Sequence, residues 1–339
     1  MTPLSIVILN YNGKDFLHDF LPSVIEHSAG HEIVIADNCS TDDSVEFLRT
    51  NHPDLRLILN SSNGGFAQGY NEALAQVKSE FYLLLNSDIQ VTEGWLEPLL
   101  KTMDDPEVAG CQPKVRSFLK PTHLEHAGAS GGFLDKDYFP FCRGRIFDLA
   151  EEDKGQYNDP QEIFWASGAC LLIRANLYQE AGGLDEDFFA HMEEIDLCWR
   201  LKRKNYKFMV APESIVYHVG GGTLPYSSPF KTYLNFRNSL FMLIKNHDGW
   251  LFPKLFKRLA LDGIAGVRFV FRGEFKQLQA LLKAHYHVYG SLGKFYKKRQ
   301  ALKRSSITFN STGLYRGSLL WQKFVRKVDV YSQLPQDKF

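Results

Sequence analysis

Cysteine pairing is missing from this sequence. Its five cysteines, Cys39, Cys111, Cys142, Cys170 and Cys198, are scattered, odd in number and never spaced as CxxC. That spacing argues against a disulfide frame or a zinc knuckle and for a reducing compartment. No run of eighteen or more uncharged apolar residues occurs, so a transmembrane helix of ordinary length is not expected. The first residues, MTPLSIVILNYNG, offer neither a basic leader nor an apolar run long enough for a signal peptide. Cytoplasm is the expected compartment. Neither a GxGxxG after the first strand nor a GxxxxGK[ST] loop is present, which disfavours dinucleotide and P-loop chemistry. Net charge is lacking too, with 39 Lys+Arg against 39 Asp+Glu. The zero conceals a division: residues 1–230 carry about 18 basic against about 34 acidic side chains, and residues 231–339 about 21 against about 5. An acidic body suits metal and proton chemistry, and a basic tail suggests an anionic partner.

What is there is globular. Hydrophobic residues at 44% and charged residues at 23% exclude a disordered or collagen-like chain. Over the first hundred residues strand and helix signals alternate. Apolar runs at Leu4–Leu9, Glu32–Ala36, Leu55–Leu59, Phe81–Leu85 and Val108–Gln112 read as strands. Phe16–Glu26, Val45–Leu48, Gly69–Val77 and Leu96–Met103 have helical spacing. This alternation predicts βαβ units and a mostly parallel sheet flanked by helices. Ligands of such sheets sit beyond the carboxyl ends of the strands, where Asn10, Asp37, Asn60 and Asp88 fall. Residues 113–165, rich in Gly, Pro and aromatics, read as irregular or as irregular with short strands, Phe164–Ile173 as a buried strand, Glu193–Lys204 as a helix, and Phe208–Val210 and Ile215–Tyr217 as two short strands. From Pro229 the chain turns helical and basic. The division expected is a catalytic domain over 1–228 and a mainly helical region over 229–339.

Several clusters have the chemistry for a site, each with a plainer explanation beside it. In Asp37-Asn-Cys-Ser-Thr-Asp-Asp-Ser44 the residues from Ser40 onward suffice to cap the next helix. Asp37 is not needed for that, and its carboxylate suits the imide N–H of a base or ribose hydroxyls. Asn63-Gly-Gly-Phe-Ala-Gln-Gly-Tyr-Asn71 opens a helix with glycines that allow close approach of a diphosphate or sugar. Asn86-Ser-Asp88 ends the most apolar strand. Residues i and i+2 point the same way there and can address one hard cation, although an Asx turn explains them equally. Glu193-Glu194-Ile-Asp196 puts acids in the first turn of a helix, which its dipole favours. The surrounding Phe188, Phe189, Met192 and Trp199 would push a carboxyl pKa up toward the range of a general base. His218, before Gly220-Gly-Gly222, is a ligand or donor candidate, though a single histidine is more often neither.

In order, SIVILNYNG, IADNCSTDDS, NGGFAQGYNEA, YLLLNSD, ASGACLLIRA, GGLDEDFFAHMEEIDLCWRLKRKNY and VYHVGGGT resemble the family-2 inverting glycosyltransferases of GT-A fold. The branch they resemble is the rhamnosyltransferase-like one, and the likeness covers roughly residues 4–245, including Asn235-Phe-Arg-Asn238, similar to that branch's RN element. The resemblance implies a GT-A type Rossmann-like sheet and transfer from a nucleotide-diphosphate sugar (dTDP-rhamnose or a UDP-hexose) with inversion. The acceptor would be a hydroxyl of a glycan or polyprenyl-linked glycan in cell-surface polysaccharide synthesis. It implies Glu194 as catalytic base with Glu193 in reserve, and Asp88 and His218 on Mg2+ or Mn2+. Asn10, Asp37, Asn63, Gly64, Gly65, Asn71 and Asn86 would line the nucleotide, and Trp165, Ser167 and Gly168 the acceptor. Asn86 stands where the family's metal motif has its first acid, which leaves fewer anionic ligands. A sugar nucleotidyltransferase, a non-catalytic nucleotide-sugar-binding module and a nucleic-acid binder are the competing readings. The first lacks a Gly-rich N-terminal loop with a basic residue for the triphosphate, the second is disfavoured by Asp88, Glu194 and His218, and the third by the acidic front half.

In the tail, Phe252, Leu255, Phe256, Leu259, Gly263, Val267 and Val270 are predicted on one helical face, with Lys254, Lys257, Arg258, Arg268 and Arg272 on the other. Such a helix suits the surface of a membrane, peripherally on its inner face. A helical subdomain whose cations answer the acidic body fits the same residues.

Overall fold

The structure is a computed structural model that describes residues 2–220, 228–306 and 308–339. In chain order the first half comprises β1 (Thr2–Asn10), α1 (Lys14–His27), β2 (Glu32–Asp37), α2 (Ser44–Asn51), β3 (Arg56–Leu59), α3 (Gly65–Leu74), β4 (Ser79–Asn86), β5 (Ile89–Val91), α4 (Leu96–Thr102) and β6 (Val108–Ser117). Short strands follow: β7 (Gly132–Asp135), β8 (Pro140–Cys142), β9 (Arg145–Ile146), β10 (Leu149–Ala150) and β11 (Gln161–Ile163). Then come β12 (Cys170–Arg174), α5 (Ala175–Glu180), α6 (Glu193–Lys202), β13 (Lys207–His218), α7 (Pro229–Asn246), α8 (Leu251–Phe271), α9 (Phe275–Ser305), β14 (Leu314–Tyr315) and α10 (Leu319–Phe324).

The large sheet runs β11-β13-β6-β12-β4-β1-β2-β3, with β5 paired to β13. Strands β3, β2, β1 and β4 are mutually parallel, and β6 and β13 share their direction through the antiparallel β12 between β4 and β6. The central strands are apolar on both faces because both are covered. From β1, Leu4, Ile6 and Ile8 point into a core with α1, α2 and α4, while Val7 points into the opposite core with α3, α5 and α6. Strand β4 divides in the same way, with Leu83 and Leu85 on one side and Tyr82 and Leu84 on the other.

Two expectations are corrected and a third is resolved toward its alternative. The short strands allowed for within residues 113–165 are present: β6 extends to Ser117, and β7 to β10 join β14 in a second sheet of five strands, order β10-β9-β8-β7-β14. Phe208–Val210 and Ile215–Tyr217 are one strand, β13, with a register shift against β6 between Ala211 and Ile215. The buried strand expected over Phe164–Ile173 begins only at Cys170, since residues 164–169 form a strap rather than a strand.

The C-terminal chain packs into the body. Leu240, Phe241, Met242 and Ile244 of α7, and Val288 and Phe295 of α9, belong to the same core as β4 and α3. Phe241 stacks on Phe295 with ring centroids 3.8 Å apart, and both meet Phe188 edge-on. The tail's cations answer the body's acids. Lys245 reaches Asp185 at 2.6 Å and Asp196 at 2.8 Å, Lys298 reaches Asp185 and Asp187 at 2.6 Å, and Lys257 reaches Asp137 at 2.7 Å. Asp196 is fully buried, so its charge depends on Lys245, Arg200 and Asn246. Removing one partner of a buried pair leaves an under-compensated charge. Lys245→Met is therefore expected to lower unfolding free energy by about 3 kcal/mol, read by urea denaturation at pH 7. Among the described residues no helix is long and apolar enough to cross a membrane.

Candidate active site

The carboxyl ends of β1, β2 and β4 meet at one edge of the sheet. Asp37 ends β2 buried, with one carboxylate oxygen accepting from Asn10 Nδ2 at 3.0 Å and the other from the Ser40 amide at 2.9 Å. Asn12, at φ 49°, accepts from the Thr41 amide at 2.7 Å, so the loops after β1 and β2 are pinned together. A Cβ on Gly13 would fall 2.5 Å from Asn10 Oδ1 and 3.5 Å from Ser87 Oγ, which places the end of β4 against the same loop.

Beyond β4, Asp88 is buried and its Oδ1 lies 3.2 Å from His218 Nε2. Asn86 Nδ2 is 3.4 Å from the same ring nitrogen. His218, at the end of β13, presents its other nitrogen, Nδ1, to Glu125 Oε2 at 3.0 Å. Burial opposes a charge on this imidazole, but the carboxylates of Asp88 and Glu125 override it and raise its pKa to about 10. Glu125 is desolvated as well, yet His218 and the Ala127 amide hold its carboxyl down to about 2. Glu125 was not singled out by sequence; its only signal there is an acid between His123 and His126 in a segment read as irregular. Of the HVGGGT stretch, Gly221, Gly222 and Thr223 lie outside the described residues.

The second half of the site is reached through the strap at residues 167–169. The Asn86 amide donates to Ala169 O at 2.9 Å. A methyl on Gly168 would sit 3.3 Å from Phe66 Cζ and 3.6 Å from Glu194 Cβ. The strap thus stands between the Asn86-Ser-Asp88 turn and the first turn of α6. Glu193 is buried, Glu194 is half-buried, and the Oε2 of each has no hydrogen-bond partner among the described residues. Burial raises the Glu194 pKa to about 7. Glu193 is pushed well above the usual carboxylate range by burial first, then by the charges of Glu194 and Asp196.

The loop entering α6 is held under strain. Phe189, His191 and Met192 adopt φ of 65°, 71° and 76°, a region costly for residues with a Cβ, persisting where the surroundings over-determine it. Helix α7 supplies that determination. Arg237 donates to Phe188 O at 2.7 Å, and Asn238 donates to Phe188 O, Ala190 O and His191 O at 2.9, 2.8 and 2.7 Å. These are the Arg and Asn of Asn235-Phe-Arg-Asn238, and their grip on a left-handed loop has no local sequence signature.

Other residues named from sequence have their polar groups taken up by the protein. Asn63 Oδ1 accepts from the Gly65 amide at 3.0 Å and Asn38 Nδ2 at 2.9 Å. Asn71 donates to Leu184 O at 2.8 Å and accepts from Tyr178 Oη at 2.7 Å, tying α3 to the turn before α6. Gly64 caps α3. Gly65, at φ 81°, is pressed against Phe189, where a Cβ would meet the Phe189 carbonyl oxygen at 2.4 Å. Gly65→Ala is therefore expected to destabilise the fold by about 2 kcal/mol and to reduce activity by displacing Phe189, checked by thermal melts beside turnover. Trp165 is buried, donating Nε1–H to Phe133 O at 3.0 Å, with Gly132 against its ring. Ser167 is buried and hydrogen-bonded to Ala127 O and Gln112. Of the three residues assigned to the acceptor, Gly168 borders Glu194.

Among the described residues no three His, Cys, Asp or Glu side chains form a cage for a metal. Asp88 and His218 nevertheless suit one as half a shell. A carboxylate oxygen and the His218 Nε2 converge, and the far nitrogen is oriented by a carboxylate, the usual outer partner of a ligating histidine; a cation would bind by displacing the Nε2 proton that the two carboxylates favour without it. A donor's phosphate oxygens would complete such a set.

Residues 5–182 match the model of "Glycosyl transferase family 2". The N-acetylglucosaminyl-diphospho-decaprenol L-rhamnosyltransferase of Mycobacterium tuberculosis is 23% identical over 263 residues, which are 73% of this chain and 86% of that one. The low-salt glycan biosynthesis hexosyltransferase Agl10 of Haloferax volcanii is 24% identical over 243 residues, 69% of this chain and 73% of that one. Two solved structures share the fold at 15% identity. GalNAc-T7 with UDP, GalNAc and Mn2+ has a TM-score of 0.60 over 96% of this chain and 57% of its own. The mannosyltransferase PcManGT of Pyrobaculum calidifontis, with GDP-Man and Mn2+, has a TM-score of 0.53 over 89% and 87%. The mixed sheet flanked by helices is thus a GT-A fold with a helical C-terminal region, and the chain belongs to glycosyl transferase family 2.

Proposed function

We propose that the chain transfers a sugar, rhamnose from dTDP-rhamnose or a hexose from a UDP-hexose, to a hydroxyl of a glycan or lipid-linked glycan, with inversion, in cell-surface polysaccharide synthesis. The observation that carries this reading is Glu194. It is a half-buried carboxylate with an oxygen that has no hydrogen-bond partner among the described residues and a pKa raised to about 7, across a glycine strap from Asp88 and His218. A group with that pKa is ionised often enough at neutrality to accept a proton and basic enough to do so usefully. Glu193, more deeply buried and pushed further from the usual carboxylate range, stands behind it in reserve.

Asp88 and His218 would hold Mg2+ or Mn2+, which when bound neutralises charge on the departing diphosphate. Asp37 and Asn10 would meet the nucleoside at the carboxyl ends of β1 and β2. Glu194 takes the proton of the acceptor hydroxyl as that oxygen attacks the anomeric carbon from the face opposite the diphosphate. One carboxylate suffices because the leaving group needs no protonation, unlike the paired acids of most glycoside hydrolases. A lipid-linked acceptor would place the enzyme on the inner face of the membrane.

A thermal-shift series with UDP, dTDP and GDP, with and without Mn2+, followed by NMR of the product's anomeric carbon, tests the reading. A shift with one nucleotide that needs the cation, and an inverted product, are expected. Hydrolysis to free sugar with no transfer to any glycan acceptor would count against it.

A further inference from the structure

Helix α8 is built inside out. Its buried positions are Arg258, Asp262 and Gly266. Arg258 donates to Asp262 at 3.2 Å and to Ser239 of α7 at 2.8 Å, and His285 of α9 lies 3.2 Å from the other Asp262 oxygen. Leu255 and Leu259, expected on the same face as Phe252, instead pack against the core. The largest apolar side chains point away from the protein: Phe252, Phe256, Ile264, Val267 and Phe271 are 55–85% exposed, and Trp250, just before the helix, is 86% exposed. Their spacing of mostly three and four residues puts them on one stripe, about 30 Å long at 1.5 Å per residue. A globular helix turns its apolar stripe to the core, and a continuous exposed one marks a contact surface.

We infer that this stripe seats α8 in the interfacial layer of a membrane bearing anionic lipid, lying flat rather than spanning. Charge decides the partner. Arg268 and Arg272 each follow a stripe residue by one position, about 100° round the axis, and Lys276 stands just beyond; all three are exposed. Lys254 and Lys257, by contrast, are spent on Asp137; Arg272 has only the half-exposed Glu274 at 3.9 Å, and Arg268 and Lys276 form no ion pair among the described residues. Cations beside an apolar stripe with tryptophan at one end are the pattern of a helix held by acyl chains and anionic headgroups together. This deepens the reading of a lipid-linked acceptor and rests on it for its purpose, though its test does not.

The test is flotation of the full chain with vesicles of phosphatidylcholine alone or with equal phosphatidylglycerol, at physiological salt, beside transfer to a short-chain water-soluble acceptor. Three proteins are compared: wild type, Phe256→Ser/Val267→Ser/Phe271→Ser, and Arg268→Glu/Arg272→Glu. All these side chains are on the surface, so folding and soluble transfer should persist. Wild type is expected to float with the anionic vesicles, with partitioning at least about tenfold lower in each variant. Wild type left at the bottom of both gradients, or variants floating equally well, would overturn the inference. So would a wild-type dimer that the triple serine variant abolishes, with no flotation, which would give the stripe to a second copy. Flotation as expected but without transfer would instead count against the glycosyltransfer reading and leave the membrane face standing.

Discussion

Glu194→Gln is expected to lower kcat on the order of 10³-fold, the usual worth of a general base, with donor binding unchanged in titration calorimetry. The pH dependence follows from the same carboxyl. With a pKa raised by burial to about 7, Glu194 is protonated and inactive in acid, so kcat/KM should climb as pH rises toward 7 and then level. The residual activity of the glutamine variant should lack that limb. Stability should move oppositely. A carboxyl whose folded pKa lies above its unfolded value stabilises the fold most fully below the unfolded value, and that contribution is lost as pH rises through the folded value. Above pH 7 wild type therefore holds an ionised, poorly solvated carboxylate that the variant does not. The glutamine variant should melt no lower there, separating lost chemistry from lost fold. Glu193→Gln should retain far more activity, and equal loss in both variants would contradict the assignment of the base.

Asp88→Ala should also abolish transfer, for a different reason. It removes the carboxylate that faces His218 Nε2, while Glu125 remains on Nδ1. Cation-dependent donor binding is expected to weaken by about 10²-fold or more, in line with losing a carboxylate ligand. The residual nucleotide affinity should no longer respond to Mn2+. Glu125→Gln should act more mildly, since it loosens the ring's orientation without removing a ligand. If Asp88→Ala binds nucleotide with wild-type affinity and wild-type Mn2+ dependence, the cation site lies elsewhere.

The parallel half of the fold was legible because its strands are buried on both faces and read as apolar runs between polar turns. The second sheet was not. Its strands are two to four residues long, and β14 comes from residues 314–315 to pair with β7, a contact no local pattern announces. The acidic motifs were legible because Asp88 and Glu194 stand at element boundaries. What they work with was hidden: Glu125 lies in the segment read as irregular, and the α7 clamp acts on carbonyls of a left-handed loop. The tail's cations were visible, but sequence could not tell Lys245 and Lys298, committed to internal acids, from Arg268 and Arg272, which face outward. Helical periodicity placed Leu255 and Phe256 together although they are adjacent in the chain and point apart, because the inward face of α8 is built around the Arg258–Asp262 pair.

The most direct test of the account is a crystal of the protein with Mn2+ and the nucleoside diphosphate that gives the largest thermal shift, with anomalous scattering used to place the metal. The account predicts manganese bonded to Asp88 and His218 Nε2, the nucleoside over Asp37, and the terminal phosphate directed toward Glu194. Manganese bound elsewhere with the Asp88–His218 pair intact, or a diphosphate facing away from α6, would contradict it.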